Sequence, residues 1–190
     1  MTDIHTEAQL DALYDVPSPP AVVKEIDHIS ADYATFIEKS PFVIIATVGP
    51  EGLDCSPRGD PHGFSRVADP KTLIIPDRRG NNRIDSLRNI VRDPRVALLF
   101  LIPGIGASMR VNGRARLSTD PGLCASFAME GKNPKCVIIV SVERAYPQCQ
   151  KAIARSRLWD AESHVDKTSL PTIGEMMERL APGNFDGKAY

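Results

Sequence analysis

Residues 96–119, VALLFLIPGIGASMRVNGRARLST, leave the chain few ways to fold. VALLFLI, 96–102, is continuously apolar, the pattern of a strand buried on both faces. Pro103-Gly104-Ile105-Gly106 supplies turn residues. Beyond the turn, Met109, Val111, Ala115 and Leu117 alternate with Arg110, Asn112, Arg114 and Arg116. Period two gives one dry and one wet face. Two long strands on so short a turn must pair antiparallel.

The other apolar runs fit the same plan. They are FVIIATV at 42–48, Leu53 to Arg58, Phe64 to Val67, Thr72 to Ile75, and CVIIVSV at 136–142. Gly49-Pro50-Glu51-Gly52, the loop 59–63 and Asp69-Pro70 separate them. Joins of hairpin length predict a mainly β chain, with six of these seven runs in a six-stranded antiparallel sheet closed into a barrel with peripheral helices. Closure hides both sheet edges.

Helical spacing accounts for the rest. Residues 7–13 read as a helical turn with Leu10 and Leu13 on one side, ended by Pro17, Pro19 and Pro20. Val22, Val23, Ile26 and Ile29, then Tyr33, Phe36 and Ile37, predict helix over 20–26 and 28–39. A helix over 83–92 would bury Ile84, Leu87 and Val91. Further helices are expected from Asp120 to Met129, Gln148 to Arg157 and Ile173 to Leu180. The expected organisation is a single domain, 1–190. It comprises a helical extension at 1–40, the barrel at 41–143 and C-terminal helices at 144–190.

Charge and cysteine usage narrow the function. A formal net charge of −1 makes no whole-chain case for nucleic acid. No apolar run reaches membrane-spanning length, and MTDIHTEAQL is too acidic and polar for a signal peptide. Cys55, Cys124, Cys136 and Cys149 form no CxxC or metal spacing, and His5, His28 and His164 are scattered. A cytoplasmic protein without a metal site is expected.

The chemistry concentrates in RRGNNR, 78–83. Asn81 or Asn82 is placed to cap the following helix, with Asp85 as a weak capping-box partner. The first-turn N–H groups carry partial positive charge and attract anions. Arg78, Arg79 and Arg83 crowd the same end, and the arginine fork suits phosphate oxygens. Gly80 admits close backbone approach. A phosphate monoester is the ligand this pattern suggests; the alternative is a solvated basic loop.

The order strand, SPRGD, strand, RRGNNR, helix, DPRVALLF, hairpin, VNGRARLST resembles the pyridoxamine 5′-phosphate oxidase-like superfamily, and within it a bacterial subgroup of FMN-dependent enzymes. The likeness covers about 8 to 180, most closely 41–119 and 146–160. It implies an FMN-binding split barrel of six antiparallel strands in a Greek key. It also implies a homodimer with FMN at the subunit interface. Ser56 and Arg58 match positions along the flavin ring and ribityl chain, while Arg79, Asn82 and Arg83 match the phosphate site. Ser108 matches a position near the ring, and Trp159 one where a partner-subunit aromatic approaches the cofactor. Together with Arg78, these are the expected cofactor contacts. The oxidase itself carries an Arg-Lys pair after its phosphate loop; here Ile84 follows Arg83, so pyridoxamine phosphate oxidation is not implied.

The expected function is therefore FMN binding with two-electron redox on a small molecule. Alternatives are a flavin-storing or flavin-sensing module without turnover, or haem or deazaflavin on the same scaffold. Nucleic-acid binding through the arginine loop lacks an accompanying aromatic surface. His62 is a candidate proton donor near a flavin, or a loop histidine without a role. Cys55 and Cys149 are candidate redox thiols, or structural ones. Lys151 and Arg155 reach a partner's cofactor, or form a solvated helix face.

Overall fold

The computed structural model describes residues 3–183, 186 and 187. Seven strands make one sheet: β1 Phe42–Gly49, β2 Gly52–Gly59, β3 Arg66–Asp69, β4 Thr72–Pro76, β5 Arg95–Leu101, β6 Ser108–Ser118 and β7 Val137–Gln148. Their order is β2-β1-β5-β6-β7-β4-β3, and every neighbouring pair is antiparallel. The chain is thus mainly β with peripheral helices. Two expectations change: the sheet has seven strands rather than six, and it is open rather than closed. β2 and β3 are its edges. Pro57 in β2 has no N–H to donate, and β3 is only four residues long with a register shift. Both features weaken the edges along which the sheet could close.

Alternation sets the core. Val43, Ile45, Leu98, Phe100, Val111, Ile138 and Val140 point inward and are buried. Ile37 joins them from helix α3, Ala31–Lys39, and Leu87 and Ile90 join from helix α4, Asp85–Arg92. The β1–β2 register places Arg58 beside Val43, Ser56 beside Ile45 and Asp54 beside Thr47. The inner face of the sheet therefore turns from apolar to polar at its β2 edge.

The helices are shorter than the periodicity predicts. Helix α1 is Glu7–Asp11, and helix α2 stops at Val23 (Pro19–Val23). Ile26 instead exchanges both backbone bonds with Ala145 of β7. The Ser30 side chain then accepts from the Tyr33 N–H and starts α3. Helix α5 is Pro121–Ala125, with Asp120 as its cap. The last core strand, expected to end at 142, runs on to Gln148, so helix α6 begins only at Lys151 (Lys151–Ser156). A bulge at Asn112/Gly113 lets β7 follow β6 past that point. In α4 the buried positions are Ser86, Leu87, Asn89 and Ile90. Ile84 and Val91, expected inside, are 44% and 74% exposed. The helix starts two residues later than its periodicity suggests.

The chain forms two compact units, 1–152 and 153–190. The second holds two 3₁₀ turns and helix α7, Ile173–Leu180, as expected from its spacing. A Thr172–Glu175 capping box starts α7. No helix among the described residues is long and apolar enough to cross a membrane.

At the bulge, a Cβ on Gly113 would run into the backbone carbonyl of Ser141. Gly113→Ala is expected to destabilise the protein by roughly 1–3 kcal/mol, the usual cost of overpacking. Urea unfolding checks this as a lower midpoint at unchanged slope; an unchanged midpoint contradicts it.

Candidate functional site

Helix α4 is seated on β1. Asn89 is buried and donates to Thr47 Oγ1 at 3.1 Å. Gly49 leaves room for it, since a Cβ there would meet the Asn89 side-chain oxygen at 2.8 Å. The Ser86 and Ser56 hydroxyls, 3.2 Å apart, tie the first turn of α4 to β2. Between β2, the β4–α4 loop and residues 132–136 lies a cleft of about 1250 Å³.

Six of the eight expected cofactor residues line this cleft: Ser56, Arg58, Arg78, Arg79, Asn82 and Arg83. Ser108 does not; it is buried in β6 at the start of that strand. Trp159 belongs to the 153–190 unit. Sequence reasoning missed Lys132 and Lys135, which also line the cleft. The basic tract GKNPK, 131–135, was the available signal.

The helix start also differs from expectation. Neither Asn81 nor Asn82 caps α4. The cap position is Ile84, in the left-handed region at φ 52° and ψ 27°, with no side-chain cap bond. Asn82 is left-handed as well, at φ 62°. Asn81 Oδ1 accepts from the Arg83 N–H at 3.1 Å, one turn too early to cap the helix. Asp85 accepts from Arg83 Nε at 2.8 Å instead of closing a capping box. The first-turn N–H groups of α4 are therefore without a side-chain acceptor among the described residues and remain available to an anion.

The arginines divide into two kinds. Arg58 Nη1 donates to Asp77 at 2.6 Å, with both side chains less than one-fifth exposed. Its Nε is buried without a partner among the described residues. Arg78 Nε donates to Asp60 at 2.5 Å, and its Nη1 donates to the Phe127 carbonyl at 2.6 Å. These two arginines are held by the protein. Both pairs join β2, or the residue just after it, to the end of β4. They bridge the seam where the backbone ladder stays open.

Arg79, Lys132 and Lys135 are exposed and have no side-chain partner among the described residues. Arg83 holds only the exposed Asp85 there. Among the described residues, the cleft walls carry six cations, Arg58, Arg78, Arg79, Arg83, Lys132 and Lys135, against two carboxylates, Asp77 and Asp85. The excess favours an anionic ligand.

Cys136 lines the wall beside Asp77, and burial pushes its thiol up, so it is a neutral group there. His62 lies outside the cleft. Its Nδ1 sits 2.5 Å from the Lys39 carbonyl, which only accepts, so Nδ1 carries the proton. Cys55 and Cys149 are exposed free thiols. Among the described residues, no group of three or more His, Cys, Asp or Glu could hold a metal ion.

Left-handed backbone is unfavourable for a β-branched residue, and Ile84 is exposed enough to gain little from packing. Ile84→Gly is expected to stabilise the ligand-free protein by about 1 kcal/mol, against the usual sign for such a change. A urea midpoint that falls on this substitution contradicts the strain.

Residues 29–149 match the pyridoxamine 5′-phosphate oxidase family. No curated protein matches. Among solved structures, Group A Streptococcus HupZ is 23% identical with a TM-score of 0.51, covering 64% of this chain and 94% of that one. A histidine-to-alanine variant of HupZ is 21% identical with the same TM-score, covering 63% and 99%. A Lactobacillus delbrueckii protein put forward as a pyridoxamine 5′-phosphate oxidase is 19% identical, covering 64% and 99%, with a TM-score of 0.49. The HupZ likenesses show a shared fold. The family match runs from just before α3 to the end of β7, taking in every strand of the sheet and every wall of the cleft. The chain belongs to the pyridoxamine 5′-phosphate oxidase family.

Proposed function

We propose that the protein is a cytoplasmic homodimer that binds FMN in this cleft and uses it for two-electron redox on a small molecule. The observation that carries the reading is the split between held and free cations. The Arg58–Asp77 pair presents polar groups with no net charge. It suits the uncharged ring and ribityl chain, with Ser56 beside it on β2. Arg79, Arg83 and the uncapped start of α4 suit the terminal phosphate, which carries about −1.5 to −2 charge. Arg78 is held by Asp60 and Phe127, so it braces the loop rather than binding phosphate. Asn82 contributes its left-handed backbone to the loop.

The residues present fit the group in size as well. The cleft exceeds the roughly 300–1,000 Å³ of an ordinary ligand pocket, leaving room for a substrate beside the flavin. FMN would supply the electron-transfer chemistry; the chain supplies binding, orientation and electrostatics. Among the described residues, no His, Tyr or Glu lines the walls. The wall's carboxylates, Asp77 and Asp85, are each held by an arginine, which supports a second reading, flavin binding without turnover.

The dimer rests on the outer face of the sheet. Ile44, Ala46 and Val48 of β1, with Leu99 and Leu101 of β5, are only half-buried there, and Leu53 of β2 is 84% exposed. A continuous apolar face of this kind is usually covered. A two-fold axis would bury it against itself.

FMN titration followed by flavin fluorescence is expected to saturate. Arg79→Ala should weaken FMN about 10- to 100-fold, the worth of one charge-assisted phosphate contact, and leave riboflavin nearly unchanged. Arg78→Ala should instead lower the unfolding midpoint, since it strands the buried Asp60. No FMN binding at all, or equal losses for FMN and riboflavin with Arg79→Ala, would overturn the assignment. Light scattering is expected to give twice the chain mass at micromolar concentration. A monomer with full FMN occupancy would remove the dimer.

A further inference from the structure

We propose that Asp85 is a positioning residue for the phosphate of FMN: it holds Arg83 by one nitrogen and leaves the open end of the guanidinium to the ligand. This rests on the preceding reading, in which the phosphate lies at Arg79, Arg83 and the start of α4.

The arginine–aspartate pairs of this chain differ in how much of the guanidinium they engage. Arg95 gives Asp93 both Nε, at 3.0 Å, and Nη2, at 2.6 Å. Arg157 gives Asp160 the same two nitrogens, at 2.9 and 2.6 Å. Arg83 gives Asp85 its Nε alone, at 2.8 Å. Its Nη1 and Nη2 have no partner among the described residues. Two N–H groups side by side at the end of a guanidinium are the geometry that phosphate oxygens take in pairs.

Arg83 needs holding. Its side chain is 77% exposed, and a long side chain loses rotamer freedom when a ligand fixes it. It also has a second place to go. Arg83 and Asp85 line, besides the cleft, a smaller cavity of about 390 Å³ between the β1–β2 turn and α4. Asp54 lines that cavity too and attracts Arg83, more weakly than Asp85 does. One carboxylate oxygen of Asp54 is buried without a partner among the described residues, so a guanidinium that turned its way would meet an unsatisfied acceptor.

Asp85 is able to hold the arginine because its own backbone is fixed. It is the first residue of α4, and Ser86, Leu87, Asn89 and Ile90 behind it are buried. The helix start thus offers an anion its leading N–H groups and, through Asp85, an oriented cation. A carboxylate beside a phosphate site also repels the ligand. The two effects have opposite signs: positioning makes Asp85 favourable to FMN, and repulsion makes it unfavourable.

FMN titration of variants reads that sign. Asp85→Ala is expected to weaken FMN about 3- to 10-fold, the usual effect of fixing one long side chain, and to leave riboflavin within about twofold. Asp85→Asn keeps an acceptor oxygen at the same reach and should recover most of the loss. In an Arg83→Ala background, Asp85→Ala should cost nothing further, because no guanidinium is left to aim. Tighter FMN binding by Asp85→Ala, equal losses for FMN and riboflavin, no recovery with Asp85→Asn, or the same loss with and without Arg83 would each overturn the proposal. If the protein binds no FMN, calorimetry with inorganic phosphate follows the same cycle. A loss of phosphate binding shared by Asp85 and Arg83 would then sustain the positioning and remove only the flavin. Phosphate binding indifferent to Asp85, or none at all, would overturn it.

Discussion

Two ion pairs do at the seam of this sheet what backbone hydrogen bonds do elsewhere. β2 and β4 lie far apart in the strand order and share no ladder. Arg58 reaches from β2 to Asp77, and Arg78 reaches from the β4 end back to Asp60. Ion pairs this sheltered gain from a lower local dielectric, while loss of either partner leaves a charge stranded. Side chains, unlike a ladder, leave space between the elements they join. The cleft is that space. The absence of closure and the presence of the cleft are one structural fact.

The same pairs decide which cations a ligand can use. A basic loop read as composition offers three arginines of equal standing. In the fold, one of them is consumed by Asp60 and a carbonyl, and another leans on an exposed Asp85. Among the described residues, that leaves Arg79 as the loop's unpaired arginine. Lys132 and Lys135, from outside the loop, line the same cleft. The left-handed residues Asn82 and Ile84 matter for a related reason. They turn the chain so sharply into α4 that its cap position carries no side-chain bond, leaving the leading N–H groups to an outside acceptor. Local backbone strain of this kind clusters at ligand sites in proteins generally.

Much of the fold was legible in the chain itself. The alternation from Met109 to Leu117, the unbroken apolar run 96–102 and the turn residues between them depend on neighbours two residues apart, and strand geometry reads such neighbours directly. The arginine loop was legible as a place because its composition fits no packed element. Ser56 and Arg58 stood out only through resemblance, yet the β1–β2 register carries them to the same cleft. Helix boundaries were less legible. Ile26 has helical spacing but spends its backbone on Ala145, more than a hundred residues away. Ile84 has the right period for the core and the wrong φ.

By itself the sequence determined the strands, their antiparallel pairing through short turns and the position of a basic loop before a helix, because each is set by contacts within a few residues. Only the tertiary structure decided that the sheet stays open, which short run becomes its edge, and which cations are spent on the fold. Those outcomes turn on partners such as Asp77 for Arg58 and Asp60 for Arg78, nineteen and eighteen residues distant, and Phe127 for Arg78, forty-nine away. No local period encodes such a pairing. It exists only once the sheet has brought the two ends of its open seam within the reach of a guanidinium group.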